Sequence, residues 1–296
     1  MTEVDDNQGG GSGRRKLILK LAGLLVIAFF SVWVHSLLVP KWSDPNVILH
    51  DREQGYRNAL QVDQERFGRN HPEVASRLND LALLLHKTSQ HSEAERLYRR
   101  ALQIDEAYFG PDHPKVATRL SNLAGLLRDV NEPSEAEALC RRALKINEGW
   151  LGADHPKVGT LVSNLGALVQ DMGRFDEAEA LQRRALKIHK DCFGPEHPKV
   201  ATRLGCVAGV LAETERFGEA EVLYRQALQI DEDSLGREHP KVARDLGNLA
   251  GLLAATERLS EAEQMYRRAL EILEGNLGPD HPRTRAVRKR LEKLVD

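Results

Sequence analysis

The sequence predicts an all-α chain: an α-solenoid of stacked helix pairs, preceded by one transmembrane helix. Three observations lead there. A His-Pro dipeptide returns at a fixed interval through most of the chain, apolar residues between the dipeptides recur at helical spacing, and an unbroken apolar run stands near the amino terminus. Hydrophobic residues make up 41% of the chain but aromatics only 5%, which points to a Leu/Ala helical core rather than a β-sandwich. Lysine and arginine number 42 against 44 acids, a net charge of −2. That balance excludes a generally basic nucleic-acid binder and an acidic solvating chain alike. Three cysteines in 296 residues exclude a disulfide scaffold and a Cys-based zinc module.

Residues 1–16 read as a disordered tail, polar and glycine-rich, closed by the basic flank Arg14, Arg15 and Lys16. Residues 17–39 read as a membrane helix, apolar apart from Lys20, Ser31, His35 and Ser36. From Leu21 to Val39 the run makes about 28 Å of helix at about 1.5 Å per residue, against a hydrocarbon core of about 30 Å. Lys20 can snorkel at the margin, Trp33 and Trp42 fall near the far interface, and Pro40 ends the helix. The best cleavage site, Val34-His35-Ser36, is a poor one, so the segment reads as an uncleaved signal anchor. Its basic flank lies on the amino side. The positive-inside rule then leaves the amino terminus cytoplasmic and the rest of the chain periplasmic or otherwise extracytoplasmic. Residues 40–50 read as a linker.

From there the chain is one repeat. His71-Pro72, His113-Pro114, His155-Pro156, His197-Pro198, His239-Pro240 and His281-Pro282 follow one another at 42-residue steps. A glycine stands three residues before each histidine, from Gly68 to Gly278. After each dipeptide comes a first helix: Val116, Leu120, Leu123 and Leu127 make one stripe, and Val200, Leu204, Val207 and Leu211 repeat it. A break such as Asn131–Ser134 follows. The second helix carries Ala136, Leu139, Ala143, Leu144 and Ile146. Small residues recur at Ala82, Ala124, Gly166, Ala208 and Ala250, and at Ala94, Ala136, Ala178, Ala220 and Ala262, where neighbouring helices can approach closely. One such pair cannot enclose its own apolar face, whereas a stack can.

The string EAExLxRRAL, at Glu93–Leu102, Glu135–Leu144 and Glu177–Leu186, resembles the tetratricopeptide repeat. The 42-residue unit with Gly110–Ala117 is similar to the kinesin light chain type of that repeat. The resemblance covers residues 51–296: five full units at 71–280, a lone second helix in 51–70 and a lone first helix in 281–296. Tyr56, Ala59 and Leu60 align with Tyr98, Ala101 and Leu102, while Arg283, Arg285, Arg288, Lys289, Arg290 and Lys293 give the last helix a capping polar face.

The histidine ladder cannot be a metal site. Equivalent positions of successive units lie on the order of 10 Å apart, while zinc ligands sit about 2.0–2.1 Å from one ion. Glycine is expected instead to make the left-handed turn that ends a helix. The acid and histidine would cap the next helix, and proline would start it. Nine residues after each histidine stand Asp80, Asn122, Asn164, Cys206 and Asn248. The resemblance implies that this position lines a concave groove whose asparagines bond the backbone or terminal carboxylate of a bound peptide. Asn122, Asn164 and Asn248 are thus the candidate peptide-binding residues, and an amide offers donors and an acceptor for the purpose. Asp80 and Cys206 break the pattern. Arg77, Arg119 and Arg203 recur three residues earlier, interrupted by Leu161 and Asp245. Arg119 and Arg203 join the candidates as attractors of acidic ligands; the other reading pairs such arginines with carboxylates of an adjacent helix. Arg99-Arg100, Arg141-Arg142 and Arg183-Arg184 are expected on solvated faces, and the three cysteines read as drift.

The motifs of phosphate loops, serine hydrolases, zincins and thiol redox centres do not occur. The expectation is therefore a non-enzymatic scaffold with no cofactor, metal, nucleic acid or small-molecule substrate. It would bind a protein or peptide partner in the groove and meet the membrane through residues 17–39. The alternatives are an assembly factor using the convex face or solenoid ends, and a non-catalytic subunit of an enzyme complex.

Overall fold

The computed structural model describes residues 45–295, with side chains from residue 49. Twelve α-helices make up the described residues, joined by short turns. They are α1 (Pro45–Phe67), α2 (Pro72–Lys87), α3 (His91–Phe109), α4 (Pro114–Asp129), α5 (Pro133–Leu151) and α6 (Pro156–Asp171). The remainder are α7 (Phe175–Phe193), α8 (Pro198–Glu213), α9 (Phe217–Leu235), α10 (Pro240–Ala255), α11 (Leu259–Leu277) and α12 (Pro282–Val295). Residues 1–61 and 62–296 group as two units. Helix α1 begins at Pro45, inside the segment expected as a linker. Proline is well suited to a first helical turn, and the residues after it hold no helix breaker until Gly55. The expected membrane helix, residues 17–39, lies outside the described residues, and among those no helix is long and apolar enough to cross a membrane.

The boundaries follow from local chemistry. Each first helix opens with histidine as N-cap: Nδ1 of His71, His113, His155, His197 and His239 accepts the backbone N–H two residues on, at 3.0–3.2 Å. The acid that precedes the histidine from Asp112 onward serves differently from expectation. Its backbone carbonyl is what bonds: Asp112, Asp154, Glu196 and Glu238 accept from Trp150, Cys192, Ser234 and Asn276 of the second helix that follows. The recurring glycine also differs. Gly110 has φ 88° and ψ 160°, an extended mirror conformation rather than the left-handed helical one, and essentially only glycine adopts it. The left-handed residue stands instead at the other turn, as at Asn131 (φ 65°). There the N–H of Glu132 reaches back to the Leu127 carbonyl at 2.8 Å and closes the first helix.

From α2 to α12 each helix packs against the next, and some first helices also touch across one repeat. The predicted stripes are the core: Val116, Leu120, Leu123 and Leu127 are buried, as are Val200, Leu204, Val207 and Leu211. So are the small residues, Ala94 through Ala262 in the second helices among them. The third repeat varies the packing. A Cβ at Gly166 would lie 2.8 Å from Nε2 of Gln182, which is 1% exposed and bonds Ser163 through its hydroxyl and carbonyl. The missing methyl makes room for the larger polar side chain. Helix α12 closes the stack, with Thr284 buried, Val287 against the α10–α11 core and its basic residues mostly exposed.

Candidate peptide-binding groove

The first helices carry the candidate residues on one row, with unequal surroundings. Arg119 is not available to a ligand. Its Nε lies 2.8 Å from Asp105 on α3, the two side chains 8% and 0% exposed, and its second nitrogen reaches Ser76. Arg77 repeats the pair with Asp63 at 2.7 Å. The ion-pair reading is the right one for both: Arg119 and Asp105 pair out of water, where removing either partner strands a buried charge, while the Arg77 pair lies partly exposed.

The same column, a second-helix residue facing a first-helix residue fourteen further on, explains the interruptions. Asn147 precedes Leu161, and Leu273 precedes Val287, so charge is lost from both partners together. His189 precedes Arg203, leaving the Arg203 guanidinium without a carboxylate, its Nε buried and without a hydrogen-bond partner. Burial lowers the Arg203 pKa, and burial also lowers that of His189, with Arg203 adding to the effect. Asp231 precedes Asp245, two buried acids that share the neighbouring Arg244, at 3.3 Å and 2.7 Å. Burial pushes the Asp245 carboxyl up to about 7 against the pull of Arg244. Sequence reasoning missed this column as a unit; its signal was the constant offset from Asp63 to Arg77 and from Asp105 to Arg119.

The asparagines do not converge on one site. Asn122 donates to Asn79 of the preceding first helix at 2.7 Å, so one of its amide hydrogens is committed between repeats. Asn164 is exposed and lines a cleft of about 280 Å³ with His86, Arg128, Asp129, Cys140 and Leu161. Burial pushes the Cys140 thiol up to about 11, which leaves it protonated and unreactive at neutral pH. Asn248 lines the largest of these cavities, about 590 Å³, between α10 and α12. Lys241, Arg244, Arg283 and Arg290 surround it, with Leu273 and Val287 at its floor. Arg244 is held by Asp231 and Asp245, so an amide, the three cations Lys241, Arg283 and Arg290 and an apolar base make a receptor for an anionic, partly apolar segment. No group of histidines, cysteines and acids among the described residues could hold a metal ion.

On part-exposed faces, four of the paired second-helix arginines cross-link repeats, while Arg183 bonds Glu179 of its own helix. Arg99 bonds Glu95 and Glu135, Arg141 bonds Glu137 and Glu177, and Arg142 and Arg184 reach Glu106 and Glu148.

The tetratricopeptide repeat pattern matches residues 53–107, 78–149, 120–191, 157–233 and 201–275, overlapping windows that run through nearly all the described chain. The chain belongs to the tetratricopeptide repeat family. Among solved structures, this tetratricopeptide repeat protein is similar to BtubC (BKLC) from P. vanneervenii. The identity is 22% and the TM-score 0.61, over 82% of this chain and 94% of that one. The nearly identical TPR-like repeats of a kinesin light chain candidate from Podosopora anserina give 22% identity and a TM-score of 0.60, over 69% and 97%. Those likenesses establish the fold. A search of curated proteins finds no match. Tetratricopeptide solenoids present helix rows to other proteins, so the fold supports an interaction scaffold.

Proposed function

We propose that this tetratricopeptide repeat protein is a membrane-anchored scaffold that captures a segment of a partner protein along its first-helix row, with no chemical step. The observation that carries this reading is the cavity between α10 and α12, where Asn248 stands among Lys241, Arg244, Arg283 and Arg290. Asn164, exposed in its own cleft, extends the row, and Arg203 adds a positive charge with no carboxylate partner among the described residues. Arg119 drops out of the binding set. The test is partner capture from detergent extract with the full chain, followed by calorimetry. Asn248→Ala with Asn164→Ala should weaken binding about tenfold, each substitution removing a hydrogen bond of about 0.5–1.5 kcal/mol. Arg141→Ala, on the second-helix face, should leave it unchanged. Equal affinity of the double variant and the parent would move the site elsewhere.

Anchoring belongs to the same proposal and rests on residues 17–39, the apolar run with its one-sided basic flank. Carboxy-terminal reporter fusions should be active only outside the cytoplasm. A soluble full-length chain would remove the anchor.

A further inference from the structure

A second surface runs along the glycine-turn edge of the first repeats, away from the candidate residues above. Rings succeed one another there without a gap: Phe67–His71 at 4.9 Å between centroids, His71–Tyr108 at 6.0 Å, Tyr108–Phe109 at 4.8 Å, Phe109–His113 at 4.5 Å and His113–Trp150 at 5.7 Å. Tyr108 and Trp150 are each 60% exposed. Each borders a notch, and the two notches are the same site in successive repeats. One, of about 480 Å³, lies among Asn70, Arg100, Ile104 and Tyr108; the other, of about 400 Å³, lies among Asp112, Lys145, Ile146 and Trp150.

The fold does not require aromatic rings at these positions. The Trp150 Nε1–H bonds the Asp112 carbonyl at 2.7 Å, but Cys192, Ser234 and Asn276 make the equivalent bond in later repeats. Indole and phenol faces are therefore surplus to the packing. Neither cation beside them is held in an ion pair among the described residues, although Asp112 shares the notch of Lys145. Among the described residues Arg100 bonds the Arg69 carbonyl and no carboxylate, whereas its counterparts Arg142 and Arg184 hold Glu106 and Glu148. Lys145 has no ion-pair partner among the described residues.

We infer that the paired notches at Tyr108 and Trp150 form a docking site for a proline-rich, acidic segment of a partner protein, distinct from the first-helix row. Proline rings stack on exposed aromatic faces, and a polyproline II helix presents them on one side. The ring-to-ring steps of 4.8, 4.5 and 5.7 Å keep Tyr108 and Trp150 within about 15 Å of one another. A polyproline II segment spans that distance in about five residues at about 3.1 Å each. Carboxylates on the same segment complement Arg100 and Lys145, one per notch.

The test uses the full chain in detergent with Trp33→Phe and Trp42→Phe, which leaves Trp150 the sole indole. The probe is a Pro-Pro-Glu repeat peptide of about four turns of polyproline II. Its control is an Ala-Ala-Glu peptide of equal length and charge, with oligothymidylate as a third probe. The proline peptide should shift Trp150 emission saturably and bind more tightly than both others. Tyr108→Ser with Trp150→Asn keeps side chains that later repeats use at this position, so folding should hold. By calorimetry this variant should lose at least tenfold in affinity with an unchanged melting curve, while Asn248→Ala with Asn164→Ala should bind the peptide like the parent. The site is overturned by absence of binding, by equal binding of the alanine control, by tighter oligothymidylate binding or by retained affinity in the notch variant. Loss of peptide binding in the asparagine variant would equally overturn it and leave the first-helix row standing.

Discussion

Arg119 and Asp105 show how a single contact column governs what residues of this solenoid can do. Their pair lies out of water, so removing one member strands the other charge, at a cost of about 3–5 kcal/mol. Arg119→Leu alone should therefore lower the unfolding midpoint sharply. Asp105→Asn with Arg119→Leu recreates the combination found at Asn147 and Leu161, and should restore stability to within about 2 kcal/mol of the parent. Denaturant titration of the three chains checks this, and equal destabilisation by single and double variants would mean that the charges are not coupled. Asp245 carries a pH dependence of opposite sign to an ordinary acid. Its carboxyl is raised from the usual value of 3.8 to about 7 by burial, with Asp231 opposing ionisation, so the folded chain holds a proton there that the unfolded chain has released. Stability from this group is full below the unfolded value and falls as pH rises to about 7. Replacing Asp245 with Asn should flatten the thermal stability profile between about pH 4 and 7. A profile as steep as the parent's would show that another group dominates.

At the scale of the element, helix boundaries rest on backbone chemistry at two turns. His113 caps α4 through Nδ1 and also stacks on Phe109 at 4.5 Å. His113→Ala should cost about 0.5–2 kcal/mol, and His113→Asn, which keeps a capping acceptor, clearly less. The melting temperatures of the two variants decide it; equal losses would assign the role to ring stacking alone. Gly110 tolerates no side chain for a different reason. A Cβ there would meet nothing within 4 Å, yet its backbone lies where L-residues are strained, by on the order of 1–3 kcal/mol. The His-Pro and glycine periods made both turns legible beforehand. Which mirror conformation the glycine takes was not, because it depends on the path the chain follows into the next cap.

For the molecule as a whole, each repeat is held by its neighbours, so the ends are the weakest layers. Helix α12 covers Val242, Leu246 and Leu273 through Val287, and pairs Arg288 with Glu274 at 2.7 Å. Truncation after Asp280 should leave a helical chain whose last repeat opens first. Hydrogen exchange should then accelerate in α10 and α11 and remain slow in α4 to α7; uniform acceleration would contradict a layered stack. The same truncation removes Arg283 and Arg290 from the cavity around Asn248, and should therefore weaken partner binding through the first-helix row.

The sequence by itself determined the all-α class, the 42-residue unit, the helix stripes that became the core and the histidine-capped turns. All of these are set by residues within one repeat, where period and capping chemistry can be read along the chain. It also marked Asn164 and Asn248 as lining residues. Tertiary structure alone decided that Arg119 is spent on Asp105, that Asn122 is tied to Asn79, and that Asp231 meets Asp245. It also decided that the open faces of Tyr108 and Trp150 border matching notches. The physical reason is that each of these depends on which side chains meet between different helices. A period written along one chain specifies the units, but burial and charge pairing arise only where one unit is stacked on the next.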